Sequence, residues 1–298
     1  MWRWETRSAG ISTENSVTTR GALGIFANLQ PKLDAMRRRT LLLMTLLLPT
    51  LLGAREPGAE FDKSHESWST LLKAHMVGSK VKYAALKEDR ADLDLYVKDL
   101  GTVTLAEFDK WSRGDKYAFW INAYNAFTVQ LIVDHYPLKS ITDIKKDGKD
   151  AWNSPLAPLG HLAPKLKRAR LTLNDIENEI LRPTYKDPRI HAAVNCAAIS
   201  CPPLAPEAFR AEDLEKQLNR QTDAWLADKT RNQFDKKDGR VKLSKIFEWY
   251  ADDFKLGGRG PAMWLAKNAP REHREWLATG DVKVEYLEYD WKLNDASR

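Results

Sequence analysis

The chain has 298 residues, 43% hydrophobic and 30% charged, with two cysteines and a formal charge of +6. That length and balance give room for a sizeable core and exclude a disordered, collagenous or disulfide-dense chain. Two thiols also exclude a four-thiolate zinc or iron–sulfur site within one chain.

The excess positive charge sits at the front. Seven of the 47 Lys and Arg and three of the 41 Asp and Glu fall in residues 1–54. Residues 55–298 therefore carry 40 basic and 38 acidic side chains, a net of +2. Nucleic-acid binding loses its electrostatic basis there, and none is expected. Met36 is followed by Arg37, Arg38 and Arg39, an apolar run through Leu52, and the small residues Gly53 and Ala54. A basic start, about a dozen apolar residues and a small-residue exit are the layout of a secretory signal, too short for a bilayer span. Residues 1–35 then read as an unstructured upstream extension, 36–54 as the signal, and 60–298 as one exported domain, periplasmic or secreted. No cysteine follows the apolar run, so no lipid anchor is expected, nor a membrane span after cleavage.

Along the mature chain, spacing predicts helices over 64–76 and 92–100 and a short one beginning at Thr104. Residues 115–136, DKYAFWINAYNAFTVQLIVDHY, form the strongest helical pattern and are apolar nearly all round. Such a helix belongs at the centre of a domain. Asn122 and Asn125 interrupt it at i, i+3 and share one face. Buried amides need partners, so the two either bond another stretch of chain or line a polar cavity. Residues 171–181 read as a helix begun by Thr172 and Asp175, resembling a capping box, and stopped by Pro183. Residues 189–194 read as a short strand. A helix through Leu214, Leu218, Trp225 and Leu226 follows, then a strand over 240–243 and a helix carrying Ile246, Phe247, Trp249 and Tyr250. An alternating strand over 282–291 closes the chain. The sum is an α+β fold, a mostly helical single domain with a buried central helix and a small sheet. Eleven tryptophans fit a well-packed core or an aromatic-lined groove.

The chemistry-bearing stretch is 187–203, DPRIHAAVNCAAISCPP, where His191, Cys196, Ser200 and Cys201 lie close together. Three readings stand. A Cys196–Cys201 disulfide requires 197–200 to fold into a turn, which their small side chains permit. A catalytic Cys196 requires a base; His191, five residues away on one strand, would point to the opposite face, leaving His161 or His135 as alternatives. A metal held by His191, Cys196 and Cys201 has unusual ligand spacing, and neither metal nor cofactor is expected.

The runs FWINAYNAFTVQLIVDHYP, LTLNDIENEILRP, DPRIHAAVNCAAISCPPL, LSKIFEWYADDF and VEYLEYDWKLND, in that order, resemble the domain-of-unknown-function 547 family over roughly 65–295. Its characteristic positions match Trp120, Asn122, Tyr124, Asn125, Asp175, Glu177, Arg189, His191, Cys196, Ser200, Cys201 and Pro202. Exported bacterial members agree with the signal segment, while the resemblance implies no defined reaction. Many relatives have a histidine where this chain has Asn178. Plant relatives depart around the second cysteine, which favours Cys196 as the more important thiol. The expectation is a polar pocket between the Asn122/Asn125 face and residues 189–202, taking a small molecule or peptide. For thiol-dependent acyl transfer or hydrolysis, Cys196 would be the nucleophile, His191 or His161 the base, and Asn122 an oxyanion-stabilising amide, with Asp175 and Glu177 in support. The rival is a non-catalytic ligand-binding or scaffold domain stapled by a Cys196–Cys201 disulfide.

Overall fold

Two helix starts in this chain are written in short polar side chains. Thr104 Oγ1 accepts from Glu107 N at 3.2 Å and opens Leu105–Asp109. Ser112 and Asp115 form a reciprocal capping box that opens the long helix Arg113–His135. The computed structural model describes residues 59–255 and 260–297; the predicted extension and export signal lie outside them. Among these residues the fold is mostly helical α+β. Helices α1 (Glu66–His75), α2 (Tyr83–Glu88), α3 (Ala91–Leu100) and α4 (Leu105–Asp109) precede the central α5 (Arg113–His135). On the C-terminal side lie α6 (Arg182–Tyr185), α7 (Ile190–Ala193), α8 (Leu214–Ala227), α9 (Ile246–Trp249), α10 (Pro261–Asn268) and α11 (Arg271–Ala278).

The sheets are small. Hairpins β1–β2 (Met76–Val77, Lys80–Val81) and β3–β4 (Lys145–Lys146, Lys149–Asp150) are two residues deep. A three-stranded sheet joins β5 (Gln233–Asp235), β6 (Arg240–Leu243) and β7 (Lys283–Tyr286), with β5–β6 antiparallel and β6–β7 parallel.

Two apolar clusters result. One surrounds α5, whose residues 117–129 are all buried, and includes Trp68, Tyr96, Phe119 and Ile176. The other packs Trp225, Phe247, Phe254 and Trp264 beside the three-stranded sheet. Helix α7 lies at their junction: Ile190 and Ala193 join the first cluster and Ala192 the second. The cleft described below opens beside it.

Three local expectations are corrected. Residues 190–193 form a helical turn, not a strand, because the Asp187 carboxylate accepts from the Arg189 amide at 3.0 Å and Asp187 O from Ile190 N, starting a turn after Pro188. Pro183 does not stop its helix. Asp175–Leu181 is a π-helix, and the wider turn delivers Pro183 to the first turn of α6, where its missing N–H is not needed. The closing strand ends at Tyr286. Its partner β6 ends at Leu243, and the chain beyond turns to bond residues 197–200 instead.

Candidate active site

The two helix-borne asparagines organise the loops around the cleft. Asn122 Nδ2 donates to Phe209 O at 2.8 Å, and its Oδ1 accepts from Phe209 N at 2.9 Å. Asn125 Nδ2 donates to Ala193 O at 2.9 Å, and its Oδ1 accepts from Asn195 N at 2.8 Å. Each side chain pairs with backbone much as a neighbouring strand would, pinning 193–195 and 209 onto α5. Asn122 is fully buried, with both polar ends occupied, and does not line the cleft.

Asn195 extends the scaffold into the cysteine turn. It donates to Pro202 O and accepts from Ala197 N, both at 2.8 Å, while Ala197 adopts φ 61°. The C-terminal segment holds the outer side: Ile199 N bonds Lys292 O, Ser200 N bonds Asp290 O, and Ser200 Oγ accepts from Asp290 N. Arg231 donates to the carbonyls of Cys201 and Ile199. The turn brings Cys196 and Cys201, both free thiols, to a sulfur separation of 2.8 Å, outside the ~2.05 Å of a covalent bridge.

Their environments differ. Cys201 is buried and accepts from the Cys196 amide at 2.9 Å; burial, then the neighbouring Cys196 sulfur, pushes its thiol well up. Cys196 is half-buried, faces the cleft and lies 3.2 Å from the Tyr289 hydroxyl. Its pKa is lowered, first by the Cys201 thiol, which outweighs burial, then by Tyr289 and the Ala198 amide. Tyr289 is itself pushed well up, by burial first and then by the two sulfurs, so it keeps its proton.

The cleft measures about 280 Å³. His191, Glu177 and Tyr124 line one side, with Asp150 and Asn174 nearby; Trp152, Trp249, Tyr250, Tyr289 and Trp291 supply aromatic rings. His191 Nε2 lies 2.7 Å from Asp253 Oδ2, and Nδ1 lies 3.9 Å from Glu177 Oε1. Arg182 grips the same Asp253 with two bonds of 2.6 and 2.9 Å. Against burial, His191 and Arg182 hold Asp253 well below the usual carboxylate range. Among the described residues no hydrogen bond joins His191 to the Cys196 sulfur.

The remaining sequence-derived candidates are distributed as follows. Tyr124, Glu177, His191, Cys196 and Cys201 meet in the cleft. His161 Nε2 pairs with Val103 O at 2.7 Å, and His135 Nδ1 with Leu131 O; neither lines it. Trp120 packs against Phe108 and Phe119 in the core. Asp175 is the buried capping residue, accepting from Thr172 N at 2.8 Å, and pairs with Arg168. Arg189 ties Asp187 to Glu215 and Asn219. Asn178 bonds Arg182 and Asn174. Among the described residues no group of three or more His, Cys, Asp or Glu could hold a metal.

Tyr289, Asp253 and the Trp249–Tyr250 pair were not singled out as site residues, although the runs LSKIFEWYADDF and VEYLEYDWKLND contain them. Their signal was aromatic and acidic side chains crowded into short segments lacking the glycine and proline of ordinary loops.

Residues 108–226 match the family model described as "Protein of unknown function, DUF547". That segment is similar to the DUF547 family. No curated protein and no solved structure matches the chain. The matched DUF547 segment contains α5, Glu177, His191 and both cysteines; Asp253 and the aromatic residues 249, 250, 289 and 291 come from outside it.

Proposed function

We propose that the DUF547 cleft is a thiol-dependent acyl-transfer or hydrolysis site with Cys196 as nucleophile. One observation carries this reading: the cleft-facing sulfur sits between two groups that keep their protons, and its own pKa is lowered. A lowered pKa raises the share of thiolate without an imidazole at the sulfur. The sulfur bonds the acyl carbon as the bond to the leaving group breaks, and the leaving group takes a proton from water. A second water then cleaves the thioester, giving a carboxylate and restoring the thiol. In this reading Asn122 supports the scaffold rather than an oxyanion, and His191, held between Glu177 and Asp253, shapes the cleft wall.

The test is release of p-nitrophenol from p-nitrophenyl acetate. A burst of one equivalent per chain is expected, lost in Cys196→Ser. In Cys201→Ala the burst should survive but move to higher pH, because the largest cause of the lowered pKa is gone. A second reading, a binding module closed by a Cys196–Cys201 bridge, is favoured by the 2.8 Å sulfur contact. A protein lighter by two hydrogens in intact mass, with no burst before or after reduction, would establish it instead.

The same proposal places the mature protein outside the cytoplasm, supported by the arginine triplet, apolar run and small-residue exit of 36–54. N-terminal sequencing of the native protein should give a start close to Arg55, recovered from the periplasm or medium. An intact N-terminus in a cytosolic fraction would reject export.

A further inference from the structure

The walls around the thiol have a composition that its own chemistry does not require. Of the cleft residues, Asp150 and Glu177 are acids, and none is Lys or Arg. Glu177 is buried, its side chain 7% exposed, so its field is weakly screened by solvent. Across the cleft, Trp249 lies 4.8 Å from Tyr289 and 5.7 Å from Trp291, and Tyr289 lies 4.5 Å from Trp291. Trp152 stands against Trp291 at 76°.

These rings do not form a flat platform. Tyr289 is tilted 51° to both tryptophans and Trp152 stands at 76° to Trp291, while Trp249 and Trp291 are 21° from parallel, so the aromatic wall is folded at Tyr289 and Trp152. A pyranose ring stacks best on a flat aromatic face, whereas a compact cation is attracted to several faces at once. The chain covers aromatic faces with its own cations elsewhere, Arg113 on Tyr185, Lys116 on Phe108 and Lys245 on Tyr286, and at one cleft ring, Tyr250, under Arg182. Among the described residues no such contact falls on Trp152, Trp249, Tyr289 or Trp291.

We propose that this aromatic and acidic cleft receives an organic cation, an alkylammonium group borne by the molecule presented to Cys196. Asp150 and Glu177 attract the charge, the four rings exclude water around it, and the sulfur faces the same space. The cleft shares Asn153 and Asn174 with a second cavity of about 870 Å³, which gives the rest of a longer ligand somewhere to run. The proposal rests on the cleft being the ligand site of the preceding section and not on what the sulfur does there.

The experiment is titration of the full chain with choline and with 3,3-dimethylbutan-1-ol, its uncharged carbon isostere, read by tryptophan fluorescence. Choline should bind at least about tenfold more tightly than the isostere. Trp249→Ala should remove about fivefold or more of the choline affinity; Trp249 is 47% exposed, so the fold should tolerate its loss. Glu177→Gln should weaken choline and leave the isostere unchanged. Equal affinity for the two probes, no binding of choline, or tighter binding of N-acetylglucosamine would each overturn the proposal. The wild-type burst separates the two readings: choline binding with no burst would reject the thiol mechanism and leave the cation site standing.

Discussion

Two residues with no charge of their own set the character of a third. Cys201 and Tyr289 are both pushed up by burial and lie 2.8 and 3.2 Å from the Cys196 sulfur, where each can donate to its thiolate. Alkylation of Cys196 by iodoacetamide should therefore follow a pH curve with its midpoint below that of the same cysteine in the urea-unfolded chain. Tyr289→Phe removes one donor to the thiolate, so the midpoint should rise; an unmoved midpoint would show that the hydroxyl does not matter. The sequence displayed Cys196, Cys201 and His191 because they share a dozen residues. It did not display Tyr289, 93 positions from Cys196, because no local pattern encodes a contact made by folding. The imidazole expected at the sulfur went to Asp253 for the same reason: a carboxylate already gripped by Arg182 is a stronger partner than a thiol.

At the scale of the element, α5 was readable from end to end. An all-round apolar pattern allows only a central position, and the observed helix ends within two residues of the predicted bounds. That Asn122 and Asn125 must bond another stretch of chain was also legible, since a buried amide cannot stay unpaired. Which stretch was not. Asn122→Ala strands the Phe209 N–H and C=O in the core and should cost about 2–4 kcal/mol of unfolding free energy, measured by urea titration. The variant should leave the Cys196 alkylation midpoint unmoved, which a direct role of the amide at the sulfur would not allow. The π-helix was illegible because seven residues of π geometry share their apolar spacing with an α-helix, and a proline is normally a stop. Helices α2, α10 and α11, none longer than eight residues, were passed over because so short a stretch holds barely two turns of periodicity.

For the whole molecule, fold class followed from counting periodic segments, and the two apolar clusters meet at residues the sequence had already brought forward for their chemistry. One part of the acid response of the molecule comes from a histidine buried uncharged. His65 is buried against Tyr96 OH at 2.7 Å, and burial lowers its pKa from 6.5 to about 4 despite the opposing charges of Asp62 and Asp115. The unfolded chain thus binds a proton near pH 6.5 that the folded chain refuses until about pH 4. Stability from this residue is fully present above pH 6.5, falls through that window, and is lost by about 3 kcal/mol at its lower end. Urea denaturation at pH 7 and pH 4.5 should show the loss, and His65→Gln should flatten it.

The C-terminal segment carries a consequence for the order of events in the life of the chain. Tyr289 and Trp291 stand in the cleft, and the backbone of Asp290 and Lys292 fastens the turn that holds both sulfurs. A ribosome-bound chain therefore has its thiols long before it has the site that tunes them. Until residues 289–292 dock, the Cys196 sulfur has no Tyr289 hydroxyl beside it and the 197–200 turn lacks its outer backbone bonds.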